Sequence, residues 1–139
     1  MMPRPLVPAA TAALLLLGGC TPTDPTARAD AEAARVPAAT AIGEPQSCIS
    51  RSQVRATVVR SDSVIDFEMR GGAVYRNTLT SRCPGLGMER AITFNTSIDQ
   101  LCSPQVVYVL QNIAGVPQQG AGCSLGRFVP VEYTKDEAR

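Results

Sequence analysis

Cysteine is the residue type in this 139-residue chain whose chemistry is most informative. A thiol can form a disulfide, bind a metal ion or act as a nucleophile, and the chain has five cysteines and no histidine. Without histidine there is no imidazole base for Ser-His or Cys-His catalysis. Zinc sites normally use closely spaced cysteine pairs, and thiol oxidoreductases use Cys-x-x-Cys. The cysteines here are far apart, at Cys20, Cys48, Cys83, Cys102 and Cys123.

Cys20 ends a segment with the features of an export signal. Arg4 supplies a positive charge, residues 6–17 are almost entirely apolar, and two glycines precede the cysteine. The apolar run is too short to cross about 30 Å of hydrocarbon. The order of these features resembles the bacterial lipobox, in which the thiol is acylated and the chain is cleaved before the cysteine. We therefore predict a lipoprotein signal peptide at residues 1–19 and lipidation of Cys20; an ordinary secretory signal is the alternative.

The residue after the anchor predicts the destination. In lipoproteins of Gram-negative bacteria, an aspartate at this place is the usual signal for retention at the inner membrane, and here the residue is Thr21. The resemblance therefore implies an outer-membrane lipoprotein whose folded part faces the periplasm. Several acyl chains hold a protein on a bilayer where one would not, so the membrane is the first predicted partner, bound through Cys20.

Export changes the interpretation of the four remaining cysteines. An even number of cysteines in a small exported domain is typical of a disulfide framework. Free or redox-active thiols are the alternative. Four cysteines leave three pairings open.

Composition divides the mature chain into three parts. Residues 20–45 are rich in alanine, proline, threonine and charge, with few large apolar side chains. Such a segment buries too little to order itself, so we predict a disordered acylated tether there. Residues 46–134 are predicted to form a β domain and residues 135–139 a tail.

The pattern of the folded part is that of a β protein. Ile65, Phe67 and Met69 alternate with Asp66 and Glu68, which predicts a strand at 64–69 with one apolar and one solvated face. The other predicted strands are residues 54–60, 73–79, 91–95, 105–110 and 126–131. The predicted fold class is mainly β: a small disulfide-bridged antiparallel sheet or curled barrel of about six short strands, with little helix.

The connections carry turn signals. The glycine pair at 71–72 predicts a two-residue hairpin turn, which would place Phe67 opposite Arg76. A helical turn is predicted at residues 98–102. The stretch "GVPQQGAG" at 115–122 predicts a flexible loop.

An up-and-down meander of these strands selects one disulfide pairing. Short connections favour a meander, which places Cys48 and Cys102 at one end of the sheet and Cys83 and Cys123 at the other. A bridge needs Cα atoms within about 7 Å, whereas a six-residue strand separates the two ends by about 20 Å. We therefore predict bridges between Cys48 and Cys102 and between Cys83 and Cys123.

Arginine dominates the charge of the domain. Residues 48–90 contain seven arginines against four acidic residues. Guanidinium groups bind phosphate and carboxylate oxygens in pairs. A patch containing Arg55 and Arg76 is thus a candidate binding surface for lipid headgroups, cell-wall carboxylates or an acidic protein; ordinary solvated strand faces are the alternative. In the binding interpretation, reversing both charges leaves the thermal midpoint within a few degrees.

The remaining motifs are typical of structure rather than catalysis. Asp66 and Glu68 are interpreted as solvated strand carboxylates rather than an acid and base pair. The glycine pairs are interpreted as turns rather than phosphate loops. No catalytic residue, metal, cofactor or nucleic-acid partner is predicted.

Several motifs together resemble a family of small bacterial lipoproteins and secreted proteins of unknown function. The motifs are the four later cysteines, "DSVIDFEMRGGAVYRNTL", "CPGL", "QLC" and "CSLGRFVPVE", and the resemblance spans about residues 48–138. It implies no activity and no functional residues. The predicted function is a non-enzymatic binding or structural domain with an envelope-protein or cell-wall partner. An inhibitor of a wall-degrading or proteolytic enzyme is the alternative, and its loop would be 81–90 or 115–123.

Overall fold

The computed structural model describes residues 24–134. Its elements follow one another along the chain as α1 (Pro25–Ala33), β1 (Ala39–Ala41), β2 (Cys48–Ser50), a 3-10 turn (Arg51–Gln53), β3 (Val54–Val59), β4 (Val64–Met69), β5 (Val74–Thr78), α2 (Leu86–Glu89), β6 (Ile92–Thr93), β7 (Gln100–Cys102), β8 (Val106–Ile113), β9 (Val116–Ser124) and β10 (Phe128–Tyr133). In this part of the chain, no helix is long and apolar enough to cross a membrane.

The strands form three antiparallel sheets. The largest has the order β1-β10-β5-β4-β3, a second pairs β2 with β7, and a third has the order β6-β8-β9. The mainly β class with little helix is confirmed. The described residues contain ten strands rather than about six. Three of the additional strands, β1, β2 and β7, are only three residues long, too short for an alternating pattern to be visible in the sequence. The fourth, β9, has nine residues and lies where a loop is predicted.

The apolar face predicted for β4 is confirmed and forms the centre of the core. Ile65 and Phe67 are fully buried and Met69 nearly so. The ring of Phe67 meets that of Phe128 edge-on, with centroids 5.4 Å apart, which is a favourable aromatic geometry. The prediction for the opposite face is wrong at Asp66, which is fully buried.

The hairpin between β4 and β5 has a three-residue turn, not the predicted two-residue turn. The backbone N–H of Met69 donates to the carbonyl of Ala73 at 2.8 Å, and Gly72 has a φ of 93° that favours glycine. The register therefore shifts by one residue and places Asp66, not Phe67, opposite Arg76. The shift brings a carboxylate and a guanidinium group to the same face of the sheet.

The meander is confirmed for β3, β4 and β5 and for the antiparallel pairing of the fourth and fifth predicted strands, which are β6 and β8. It is wrong for the steps from β5 to β6 and from β8 to β10. The last strand, β10, pairs with β5, and β6 belongs to another sheet. The predicted disulfide pairing is nevertheless present. Cys48 and Cys102 lie directly opposite each other on β2 and β7, and the Cα atoms of Cys83 and Cys123 are 5.7 Å apart.

Two predicted connections are strands in the structure. The expected helical turn at 98–102 contains β7, which pairs with β2. The expected loop at 115–122 belongs to β9, joined to β8 by a tight turn at Ala114 and Gly115 with φ values of 52° and 83°. A Cβ at Gly120 would lie 2.7 Å from the side chain of Gln111 on β8, so a larger residue there would displace that side chain.

The disordered tether predicted for residues 20–45 is corrected from residue 24 onward. Residues 25–33 form α1, whose first turn is capped by Asp24 through a bond from the N–H of Thr26. Residues 39–41 form β1, which pairs with the edge of β10. Residues 39–41 are ordered because their backbone forms hydrogen bonds with a strand some 90 residues away. The composition of the segment does not reveal this pairing.

Candidate functional site

The two arginines predicted as binding residues are both in ion pairs. Arg55 contacts Glu68 at 2.7 Å, with 65% of its side chain exposed. Arg76 binds both carboxylate oxygens of Asp66 at 2.8 and 3.0 Å, with only 16% of its side chain exposed. The ion pair gives Arg76 a structural role, so we now expect reversal of its charge to cost stability, in contrast to the expectation from the sequence.

Asp66 is the centre of a buried polar network. Besides both bonds from Arg76, it accepts hydrogen bonds from Arg60 at 3.0 Å and from the hydroxyl of Tyr133 at 2.9 Å. Arg60 also donates to the oxygen of Tyr133. Burial alone would raise the pKa of the Asp66 carboxyl, but the hydrogen bonds from Arg76, Arg60 and Tyr133 outweigh it and hold that pKa below its usual value.

The lowered pKa of Asp66 predicts an acid-sensitive contribution to stability. Such a carboxyl stabilises the fold above its unfolded pKa of about 3.9, and the contribution is lost as the pH falls through the folded value. Below about pH 4 the free energy of unfolding should therefore fall, and Asp66→Asn should lose this part of the slope. Urea unfolding of both proteins over the acid range in which each is folded checks this. Equal slopes would contradict the assignment.

An open groove lies between α1 and the loops at one end of the large sheet. Its volume is about 650 Å³, and three segments line it: residues 28–35 from α1 and the turn after it, the turn at residues 60–62, and residues 82–88 around α2. We call it the α1 groove. Four arginines line it, at Arg28, Arg35, Arg60 and Arg82, against two carboxylates.

Asp62 and Glu32 hold the three segments of the α1 groove together. Glu32 accepts a hydrogen bond from the backbone N–H of Asp62. The Asp62 carboxylate accepts bonds from the N–H of Gly87 at 2.7 Å and from Arg82 at 2.8 Å. The bond to Asp62 raises the pKa of the Arg82 guanidinium. Any side chain at position 87 would crowd Asp62, since a Cβ there would lie 3.1 Å from its Oδ1.

The arginines of the α1 groove differ in how much of their hydrogen-bonding capacity is used. Arg60 is largely engaged by the Asp66 network, and Arg82 by Asp62. Arg28 and Arg35 are exposed and form no ion pair with any of residues 24–134. Both carboxylates of the groove already accept hydrogen bonds within the protein. The groove thus offers guanidinium donors to an anion from outside.

Arg28 and Arg35 are not predicted as site residues because they lie in the segment whose composition predicts a tether. A signal for their arrangement was present, since Arg28, Glu32 and Arg35 follow helical spacing after an Asp-Pro start. Arg60 and Arg82 carried no comparable signal. They reach the groove only through the turn after β3 and the disulfide-linked loop before α2.

The two segments considered for an inhibitor loop differ in form. Residues 115–123 lie mostly in β9. Residues 81–90 form a compact loop, linked to β9 by the Cys83 bridge and packed into the core through fully buried Leu86. Met88 projects from this loop with 84% of its surface exposed.

The fold and its bridges define a small disulfide-linked, mainly β protein. Among residues 24–134, no group of three His, Cys, Asp or Glu side chains is placed to hold a metal ion. No protein-family model, curated protein or solved structure matches the chain. The resemblance to small lipoproteins of unknown function stays a prediction.

Proposed function

We propose that this protein is a lipid-anchored, non-enzymatic binding domain on the periplasmic face of the outer membrane, with the α1 groove as its ligand site. The ordered signal features before Cys20 support the anchor. The two disulfides support an oxidising compartment such as the periplasm. The observation that carries the binding role is that Arg28 and Arg35 face an open groove whose carboxylates are already paired.

The chemistry of the α1 groove favours binding over catalysis. Its hydroxyl, Ser61 Oγ, accepts hydrogen bonds from the backbone N–H groups of Ser63 and Val64 at 3.1 Å and shapes the turn. Its carboxylates position Gly87 and Arg82. The hydroxyl and the carboxylates therefore have structural hydrogen-bond partners. For Ser61 to act as a nucleophile, a base would have to accept its proton, and these contacts supply none.

Replacing Cys20 with serine tests the anchor. The variant should remain unprocessed or be released as a soluble protein, because no thiol is present to accept the lipid. Metabolic labelling with a radioactive fatty acid, followed by fractionation of the envelope, measures both effects. Labelling of Cys20→Ser as strong as that of the parent would show that the anchor lies elsewhere.

Recovery of partners from solubilised envelopes tests the binding role. The parent should recover an envelope or cell-wall component, and Arg28→Gln/Arg35→Gln should lose it. A matched control, Arg70→Gln/Arg127→Gln, removes two exposed arginines that do not line the groove and should retain it. Equal recovery by both variants would contradict a groove-based function.

The inhibitor role is the alternative, and the loop at 81–90 supports it. A disulfide-constrained loop loses less conformational entropy on binding than a free one, as in protease inhibitors. In that case the partner is a single enzyme. Met88→Ala should then abolish recovery while the arginine variants retain it.

A further inference from the structure

We infer that the α1 groove binds the phosphate group of an anionic lipid headgroup in the membrane that carries the protein. This inference deepens the proposed function and rests on it for the anchor at Cys20. It names the ligand chemistry and the surface on which that ligand is found. Three features of the molecule support it: the guanidinium groups of Arg28 and Arg35, the position of α1 along the chain, and exposed Met88 at the groove.

The charges of the α1 groove suit a phosphate. Four arginines face two carboxylates, which leaves a local excess of two positive charges. Both carboxylate side chains are largely buried and accept hydrogen bonds within the protein, Glu32 from the N–H of Asp62 and Asp62 from the N–H of Gly87 and from Arg82. One guanidinium group can bind two phosphate oxygens at once, and neither Arg28 nor Arg35 forms an ion pair with another of residues 24–134.

The position of α1 places the groove close to the membrane. Only five residue steps separate Cys20 from Pro25, where α1 begins. Such a segment spans at most about 18 Å, and Arg28 lies about 5 Å further along the helix. With Cys20 acylated, the groove is held within about 23 Å of the lipid surface. Tethering at this distance makes the effective concentration of lipid headgroups at the groove higher than that of a phosphate compound free in solution.

The rim of the groove fits a lipid better than a free ion. The groove is open, and its volume of about 650 Å³ exceeds what a phosphate needs. Met88 stands at its edge with 84% of its surface exposed. In a bound lipid, the guanidinium groups would contact the phosphate and the apolar side chain of Met88 would contact the adjoining glycerol and acyl chain.

Vesicle binding by an unacylated protein tests the site separately from the anchor. The mature chain, residues 20–139 with Cys20→Ser, is mixed with vesicles of phosphatidylcholine alone or with a third of the lipid replaced by phosphatidylglycerol. We expect binding to the phosphatidylglycerol vesicles, weakened by salt, and little binding to phosphatidylcholine.

The two arginine variants show whether the α1 groove is responsible. Each arginine near an anionic surface contributes roughly a factor of five to binding, so Arg28→Gln/Arg35→Gln should weaken it about 25-fold. Arg70→Gln/Arg127→Gln, in the same background, should change it less than about threefold. All four substitutions are at exposed positions, and equal thermal midpoints confirm that the variants are folded.

Three results would overturn the inference. Equal binding to both vesicle types would exclude headgroup charge, and equal losses in the two variants would exclude the groove. Saturable binding of inorganic phosphate, lost in the groove variant but without vesicle association, would assign the site to a soluble phosphate compound. None of these results depends on acylation, so they are distinguishable from failure of the Cys20 experiment.

Discussion

Replacing Arg76 with glutamate should destabilise the fold by about 3 to 5 kcal/mol, because it removes one partner of a buried ion pair. The new carboxylate would face Asp66, which is fully buried and now receives two hydrogen bonds from Arg76. Arg60 and Tyr133 would remain as its partners but cannot neutralise a second negative charge. The thermal midpoint should fall by roughly 12 to 20 °C, measured by circular dichroism.

Arg55→Glu is the matched control for this experiment. It makes the same change of charge at an ion pair on the same sheet, but 65% of the Arg55 side chain is exposed to solvent. Exposed ion pairs contribute between zero and about 1 kcal/mol, so the midpoint should move by only a few degrees. Similar losses in the two variants would show that burial of Asp66 does not decide the effect.

Removal of the Cys83–Cys123 bridge should have an effect of similar size. The bridge closes a loop with a sequence separation of 40, for which the chain-entropy model gives about 4 kcal/mol. Both cysteines also lie in the core, with 1% and 5% of their surface exposed, so replacement by alanine leaves a cavity as well. The Cys83→Ala/Cys123→Ala protein should lose about 5 kcal/mol or more in equilibrium urea unfolding.

The Cys48–Cys102 bridge provides the comparison. Its sequence separation of 54 gives nearly the same entropic contribution, but its cysteines are only partly buried. They also lie on strands already joined by a backbone ladder. The Cys48→Ala/Cys102→Ala protein should therefore lose about 1 to 2 kcal/mol less free energy of unfolding than the Cys83→Ala/Cys123→Ala protein. An equal or larger loss would show that packing around Cys83 and Cys123 adds nothing to the entropic term.

Agreement between sequence and structure is closest where the pattern is local. The alternation of Ile65, Phe67 and Met69 predicts a buried strand face because successive side chains of a strand point to opposite sides. The disulfide pairing was predicted from a meander that is only half right. It is nevertheless present, which shows that a correct pairing does not establish the topology from which it was inferred.

Local patterns indicate only one part of the candidate site, the helical spacing of Arg28, Glu32 and Arg35. Arg28 and Arg35 belong to a segment whose composition is that of a tether, and α1 meets the rest of the domain through Glu32. Asp66 was interpreted as solvated because alternation marks it as polar. Its burial depends on a one-residue shift at the hairpin and on Tyr133, which arrives from the last strand.

The sequence by itself determined the class of the fold, the core face of β4 and the set of cysteines available for bridges, since these follow from composition and residue spacing. The tertiary structure alone decided the pairing of β10 with β5, the pairing of β1 with β10, the burial of Asp66 and the assembly of the α1 groove. The physical reason is separation along the chain. Hydrogen-bond ladders and ion networks between distant segments form only when loop closure brings them together, and no local pattern records which segments meet.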